Sequence, residues 1–256
     1  MKAPPVPSDE PVQLAIALPA GQVALALSGH RRGDPCAADA VVLDERADGG
    51  MRDGLIEAIG QLLAGSGVER RDLEALVFEA GPGGFSRVRA ACAVAQGIGY
   101  GLDIPVAAFD SQLLIALCAH GDPGGAEPAR VVVVRDARMG EVFVSAFEVR
   151  ESAWRELCPS VACPFAAVEG WLDALPPWTG NTFLTGDAIE KVATDARAGM
   201  RVLPDAPDPV GQALVLSAYA RRHGRWSDAI DARPHYLRDK VALDIHEQAA
   251  LRASRA

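Results

Sequence analysis

The sequence lacks several features that would point to familiar functions. No apolar run is long enough to cross a bilayer. Lys and Arg do not outnumber Asp and Glu: there are 25 against 34, a formal net charge of −9 with a pI of about 5.1. That balance excludes a broad phosphate-binding surface, which rests on clustered cations, and leaves room only for a local basic patch. Its histidines, His30, His120, His223, His235 and His246, include no pair at i and i+4. The HxxxH arrangement that holds a metal on one helix face is therefore missing. There is no GxSxG elbow for a serine nucleophile. The cysteines, Cys36, Cys92, Cys118, Cys158 and Cys163, are odd in number and form no CxxC pair. Free thiols in a reducing compartment are expected, with neither a disulfide framework nor a zinc site. The opening MKAPPVPSDEP carries four prolines and no apolar segment behind Lys2, so it does not read as a signal peptide. Residues 1–11 are expected to be a disordered leader and the protein to be cytoplasmic.

What is present suits a sizeable globular chain. Over 256 residues, 49% are hydrophobic and 23% charged. Residues 12–18 and 22–27 read as two strands around the turn at Gly21. Residues 28–39 read as loop and 40–44 as a short strand. Leu55, Ile56, Ile59, Leu62 and Leu63 recur at helical spacing until Gly65 and Gly67 end the pattern. A buried strand over 75–78 runs into a glycine-rich turn and a long helix. A strand over 104–109 and a helix over 112–120, capped by Asp110 or Ser111, come next. Turn formers crowd 120–129. Beyond them stand strands at 131–134 and 141–149, irregular chain over 150–180, a strand at 183–185 and a helix over 210–224. The order implies α/β architecture in two lobes, each a mixed sheet flanked by helices.

The glycine turn carries Gly81, Pro82, Gly83, Gly84, Phe85 and Ser86. Glycines permit close approach and positive φ. Ser86 is placed to cap the helix, and the N–H groups of a helix start can face an anion. The turn could cradle phosphate, or it could be a tight strand-to-helix connection. It matches neither the P-loop, since no Gly-Lys-Ser/Thr follows, nor the Rossmann glycine spacing. The helix behind it holds Ala90, Ala91, Ala93, Ala95, Gly97, Gly99 and Gly101. Each mid-helix glycine costs about 1 kcal/mol against alanine. Close packing against another helix, of the same chain or of another subunit, would offset that cost.

GPGGFSRVRAACAVAQGIGYGLDIPVAAFDSQ, together with DARMGEVF at 136–143, LTGD at 184–187 and PHYLRDKVA at 234–242, resembles the TsaB (YeaZ) family. The resemblance implies the two-lobed actin-like ATPase fold shared with sugar kinases and Hsp70. It implies a noncatalytic role in bacterial tRNA N6-threonylcarbamoyladenosine modification beside the anticodon. The implied partners are a TsaD-like catalytic subunit and a TsaE-like ATPase, with tRNA reached only through the complex and no membrane involved. A homodimer could use the same face. Two departures stand out. The first strand reads LAIALPA where the family has LAIDTS, so Ala17 replaces an aspartate of the first phosphate loop. In the glycine turn Gly84 stands for Ser, Ser86 for Thr and Arg87 for Gly. The turn is then a vestigial phosphate loop, with no cofactor and no metal expected.

These considerations place an N-terminal lobe at 12–110 and a C-terminal lobe at 111–256. Helices 51–65 and 86–102 are the candidate docking face, with Leu55, Ile59, Leu62, Val88, Ala91, Ala95 and Ile98 as anchors. The alternative function is an ATP-dependent phosphotransferase or nucleotide hydrolase of the same superfold. Asp136, Arg138 and Glu141 read as turn chemistry. Arg221, Arg222 and Arg225 suit a helix C-terminus. Arg238 and Lys240, near Tyr236, read as a solvated tail.

Overall fold

The computed structural model describes residues 11–237 apart from 20, 32–33, 45–50, 121–127, 151–152, 178–179, 193–198 and 204–207. In chain order the elements are β1 (Gln13–Ala17), β2 (Gln22–Arg31), β3 (Asp34–Asp44), α1 (Met51–Gly65), β4 (Ala75–Glu79), α2 (Phe85–Leu102), β5 (Val106–Phe109) and α3 (Ser111–His120). There follow β6 (Ala129–Arg138), β7 (Glu141–Val149), β8 (Trp154–Pro164), α4 (Val168–Asp173), β9 (Thr182–Thr185), β10 (Arg201–Val202), α5 (Pro209–His223) and β11 (Trp226–Ser227).

The strands form two sheets of related design. The first runs β11-β5-β4-β1-β2-β3 and the second β10-β9-β6-β7-β8. In each, an antiparallel meander (β1–β2–β3; β6–β7–β8) continues through its first strand into parallel neighbours (β4 and β5; β9 and β10).

Side-chain volume sorts the faces of the first sheet. Strand alternation sends Leu14 and Ile16, with Leu25, Leu27, Leu76 and Phe78, to the side covered by α1 and α2. It sends Ala15, Ala17, Ala24 and Ala26 to the other side, where Ala213, Leu216 and Ala220 of α5 and Leu114 of α3 pack. The same interior reaches Val131, Val133 and Phe147 of the second sheet. Val132, Val134, Val142 and Val144 face away from it, toward Val168 and Leu172 of α4. The layers are thus helices, sheet, helices, sheet, helix. Polar groups also pin α5: Gln13 Nε2 donates to Ser217 O (3.0 Å) and Oγ (2.8 Å), and the Ser28 and Ser217 hydroxyls share a hydrogen bond.

Several expectations need correcting. The 28–39 region is not loop: β2 extends to Arg31 and β3 begins at Asp34, with a register shift between Leu27 and Gly29. Glycine is required at 29 beside the shift, because at φ +131° a Cβ there would clash with Pro11 O. The 150–180 region is not irregular: β8 and α4 occupy it. Ladder pairing with β7 supplies the order that prolines obscured. The division at 110/111 meets a chain that returns, since α5 packs on β1 and β2 and β11 pairs with β5. The expected leader falls almost wholly on residues 1–10, outside the described residues, while Pro11 is buried.

Gly99 and Gly97, two residues apart in α2, should respond oppositely to alanine. A Cβ on Gly99 would come within 2.5 Å of Val106 Cγ2 and 2.8 Å of Ala229 Cβ, whereas one on Gly97 meets nothing within 4 Å. Gly99→Ala should cost about 1–3 kcal/mol by overpacking. Gly97→Ala should add up to about 1 kcal/mol through helix propensity. Urea denaturation midpoints would read both.

Candidate functional site

Five segments that are distant in sequence meet at one cleft of about 450 Å³, Gly21 of the β1–β2 turn among them. Pro82, Gly83 and Gly84 come from the glycine turn, Arg135 and Met139 from the β6–β7 hairpin, Asp187 from the turn after β9, and Tyr236 from the C-terminal segment. All the stretches that carried the family resemblance therefore contribute to it.

The glycine turn is held by its own chain. His235 N–H donates to Ala80 O (2.7 Å), Ala80 N–H to Phe109 O (2.7 Å) and Ser111 N–H to Gly81 O (2.9 Å). Gly81 sits at φ +96°, and a Cβ there would lie 2.9 Å from His235 O. Glycine is thus required by the close approach of the C-terminal segment. Helix α2 begins at Phe85 with Gly84 as N-cap and no side-chain cap. Ser86 is the second residue of the helix and not its cap, because the helix starts two residues earlier than its hydroxyl suggested. Asp110, not Ser111, caps α3, with Oδ1 accepting from Leu113 N–H at 2.9 Å.

The two arginines that could have drawn an anion are both engaged within the chain. Arg87 Nη2 donates to Pro19 O (2.5 Å) and also to Gln22 O, tying the first turn of α2 to the β1–β2 hairpin. The Arg89 guanidinium lies 3.5 Å above the Phe85 ring, and its Nε donates to Tyr236 Oη at 2.9 Å. Arg135 Nη1 reaches Pro82 O at 3.4 Å across the cleft.

The hairpin opposite closes on Arg138, Met139 and Gly140, all with positive φ (66°, 57° and 81°). Asp136 stabilises it: Oδ1 accepts from Arg138 N–H at 2.7 Å, while Asp136 N–H donates to Asp187 Oδ1 at 2.7 Å. Arg138 pairs with Glu141 across the ladder. These residues work as turn chemistry.

Glu79 was not singled out from sequence. It ends β4 fully buried, and Oε2 accepts from Leu18 N–H (2.6 Å) and Gln212 Nε2 (3.0 Å). A carboxylate therefore serves the end of β1 from a neighbouring strand, beside the alanine at 17. Its signal was a lone acid in the apolar run ALVFEAG. No group of three His, Cys, Asp or Glu residues suited to a metal occurs among the described residues. Cys92, Cys118, Cys158 and Cys163 are free thiols. Burial pushes the Cys92, Cys118 and Cys163 thiols up from their usual range, with Glu79 and Asp208 adding to the effect at Cys118. Such thiols are poor nucleophiles.

A second feature lies on the outer face of the first lobe. Helices α1 and α2 leave a groove of about 540 Å³ between them, floored by Gly60, Ala93, Gly97 and Gly101. Ile56 and Tyr100 stand out nearby, 53% and 76% exposed. The anchors expected from sequence need correction here. Leu55, Ile59, Leu62, Val88, Ala91 and Ala95 are all buried, because the apolar stripe of each helix faces the sheet. Ile59 and the half-buried Ile98 reach the groove's lining. The exposed set is the neighbouring stripe: Ile56, Ala93, Gly97, Tyr100 and Gly101. Arg238 and Lys240 lie outside the described residues. No helix among the described residues is long and apolar enough to cross a membrane.

Two sheets of duplicated order, separated by α3 and α5 and meeting at a cleft beside a glycine turn, define the two-lobed actin-like ATPase fold. Residues 45–213 match the family model described as "TsaD: tRNA N6-adenosine threonylcarbamoyltransferase". The tRNA threonylcarbamoyladenosine biosynthesis protein TsaB of Haemophilus influenzae is 35% identical over 200 residues, covering 73% of this chain and 79% of its own. The protein of the same name from Escherichia coli is 29% identical over 195 residues, covering 73% and 80%. The solved structure of YeaZ from Pseudomonas aeruginosa aligns with a TM-score of 0.67 at 25% identity, over 88% of this chain and 99% of that one. The chain belongs to the TsaB (YeaZ) family of tRNA threonylcarbamoyladenosine biosynthesis proteins.

Arg87→Ala should loosen the joint between α2 and the β1–β2 hairpin. The loss should be about 1 kcal/mol, reduced from the usual worth of charged hydrogen bonds because the side chain is partly exposed. Amide exchange at Gly21 and Gln22 should accelerate, with exchange in α4 unchanged.

Proposed function

We propose that this chain is a noncatalytic scaffold subunit in the cytoplasmic machinery that installs threonylcarbamoyl on the adenosine beside the anticodon. It docks and supports a TsaD-like catalytic subunit through the groove between α1 and α2. It carries no cofactor of its own, works alongside a TsaE-like ATPase, and meets tRNA only through the complex.

One observation carries this reading. Gly60, Gly97 and Gly101 sit within helices, at a cost of about 1 kcal/mol each against alanine, and none has an atom within 4 Å of where a Cβ would stand. Nothing among the described residues explains that cost, whereas Gly99 next to them is explained by packing. Small residues flooring an apolar groove, with Ile56 and Tyr100 beside it, suit a helix of another protein laid across them. The match to the TsaD family model spans both helices, which supports a partner whose own helix pair is built alike. The two would then meet as near-equivalent surfaces. The rest of the chain fits a body without chemistry of its own: engaged arginines beside the glycine turn, an alanine at 17, and raised thiols.

Ala93→Arg tests the groove, since Ala93 is exposed on its floor and a side chain there leaves the core untouched. Calorimetric titration of the wild type with its cognate TsaD-like subunit should show binding. Ala93→Arg should weaken it by about 30-fold or more, the scale of a central hot spot, with unchanged thermal melting. No binding by the wild type would refute the proposal.

A further inference from the structure

The groove does not end at α2. Residues 229–233 cross the far side of that helix, where Ala229 packs on Gly99, and Ala232 O accepts a hydrogen bond from Gln96 Nε2 at 3.0 Å. Arg233 Nη1 donates back to Ala232 O at 2.8 Å and also to Ile230 O, which closes the segment into a firm turn. The turn holds Ile230 out to solvent, 62% exposed, over a hollow of about 420 Å³. Ala93 lines both this hollow and the α1–α2 groove, so the two adjoin across α2 as the two parts of a trough.

The charge of the residues lining the trough is one-sided, although Asp231 stands exposed within the wall segment. Among the described residues lining its two parts, the charged ones are Arg70, Arg89 and Arg233. All three are exposed, on a chain whose net charge is −9; Arg89 is already held by the Phe85 ring and Tyr236, which leaves Arg70 and Arg233 as the rim cations. A carboxylate-bearing rim would complement them. A second copy of this chain laid across the same face would instead bring arginine rim against arginine rim.

We infer that the segment 229–233 is the second wall of the docking surface, with Ile230 as an apolar anchor, and that the occupant is a TsaD-like subunit presenting an apolar ridge edged by carboxylates. This rests on the docking reading above and extends it to a part of the chain remote from α1 in sequence. The wall is set by the α2 packing: the buried Gly99 positions Ile230 without touching the partner, and Gln96 does so from the lining of the hollow itself.

The test is titration of the wild type, Ile230→Asp, Arg233→Glu and the control Arg201→Glu with the cognate TsaD-like subunit, at low and high salt. Arg201 lies on β10, at the edge of the second sheet. Ile230→Asp should weaken binding about 30-fold and Arg233→Glu about 10-fold, with thermal melts like the wild type. Salt should weaken the wild type and weaken Arg233→Glu less, because rim charges act through screened attraction. The control should bind as the wild type does. Ile230→Asp and Arg233→Glu binding normally, while Ala93→Arg does not, would overturn this inference and leave the docking reading standing. A wild type that fails to bind would bring down the docking reading itself. Sedimentation in which Ile230→Asp dissolves a homodimer but leaves partner affinity unchanged would also overturn it, naming a second copy as the occupant.

Discussion

The constraint on which the structure depends is the close approach of α5 to the first sheet. That sheet is buried on both faces, and the faces are not equivalent. Leucine, isoleucine and phenylalanine fill the side under α1 and α2, while alanines at 15, 17, 24 and 26 line the other. Alanines let the α5 backbone lie close, and Gln13, Ser28 and Ser217 then satisfy one another where water is excluded. Once α5 is seated there, the chain beyond it must return to the first lobe. It adds β11 to the edge of the first sheet and runs residues 229–237 along α2 and over the glycine turn.

That return has functional weight. The glycine turn is closed from above by His235 and from the side by Arg87, and the cleft beside it is bridged by Arg135. A Gly-rich loop that offers its amides and cations to phosphate must leave them free. Here the arginines are turned inward to carbonyls and to aromatic rings. The outer face of α1 and α2 presents the opposite case, with open glycines and exposed apolar groups that no other described residue covers.

Much of the fold could be read from periodicity. Helix α1, the β1–β2 hairpin, β4, α2 and the β6–β7 hairpin stand where spacing and turn residues place them, since each pattern is local. The failures have physical causes. β3 and β8 hold few of the runs that mark a strand, and pairing with a neighbour supplies their order. Ser86 looked like a cap because serine prefers that position, yet the helix begins at Phe85, whose ring packs with Arg89 and Tyr236. The apolar anchors of α1 and α2 were chosen by hydrophobicity, and hydrophobicity selects the face that is buried.

By itself the sequence determined the class of the protein. Glycine, proline and apolar spacing act over a few residues, and the ordered motifs they form identify the family. It also determined which chemistries lack their side chains, since a missing HxxxH pair needs no coordinates. Only the tertiary structure decided which side of α2 meets solvent, that Glu79 reaches the end of β1, and that Ile230 stands beside Ala93. Those relations join residues up to 137 positions apart in number, taking Ile230 against Ala93. No local pattern encodes the packing of α5 and the returning chain that brings them together.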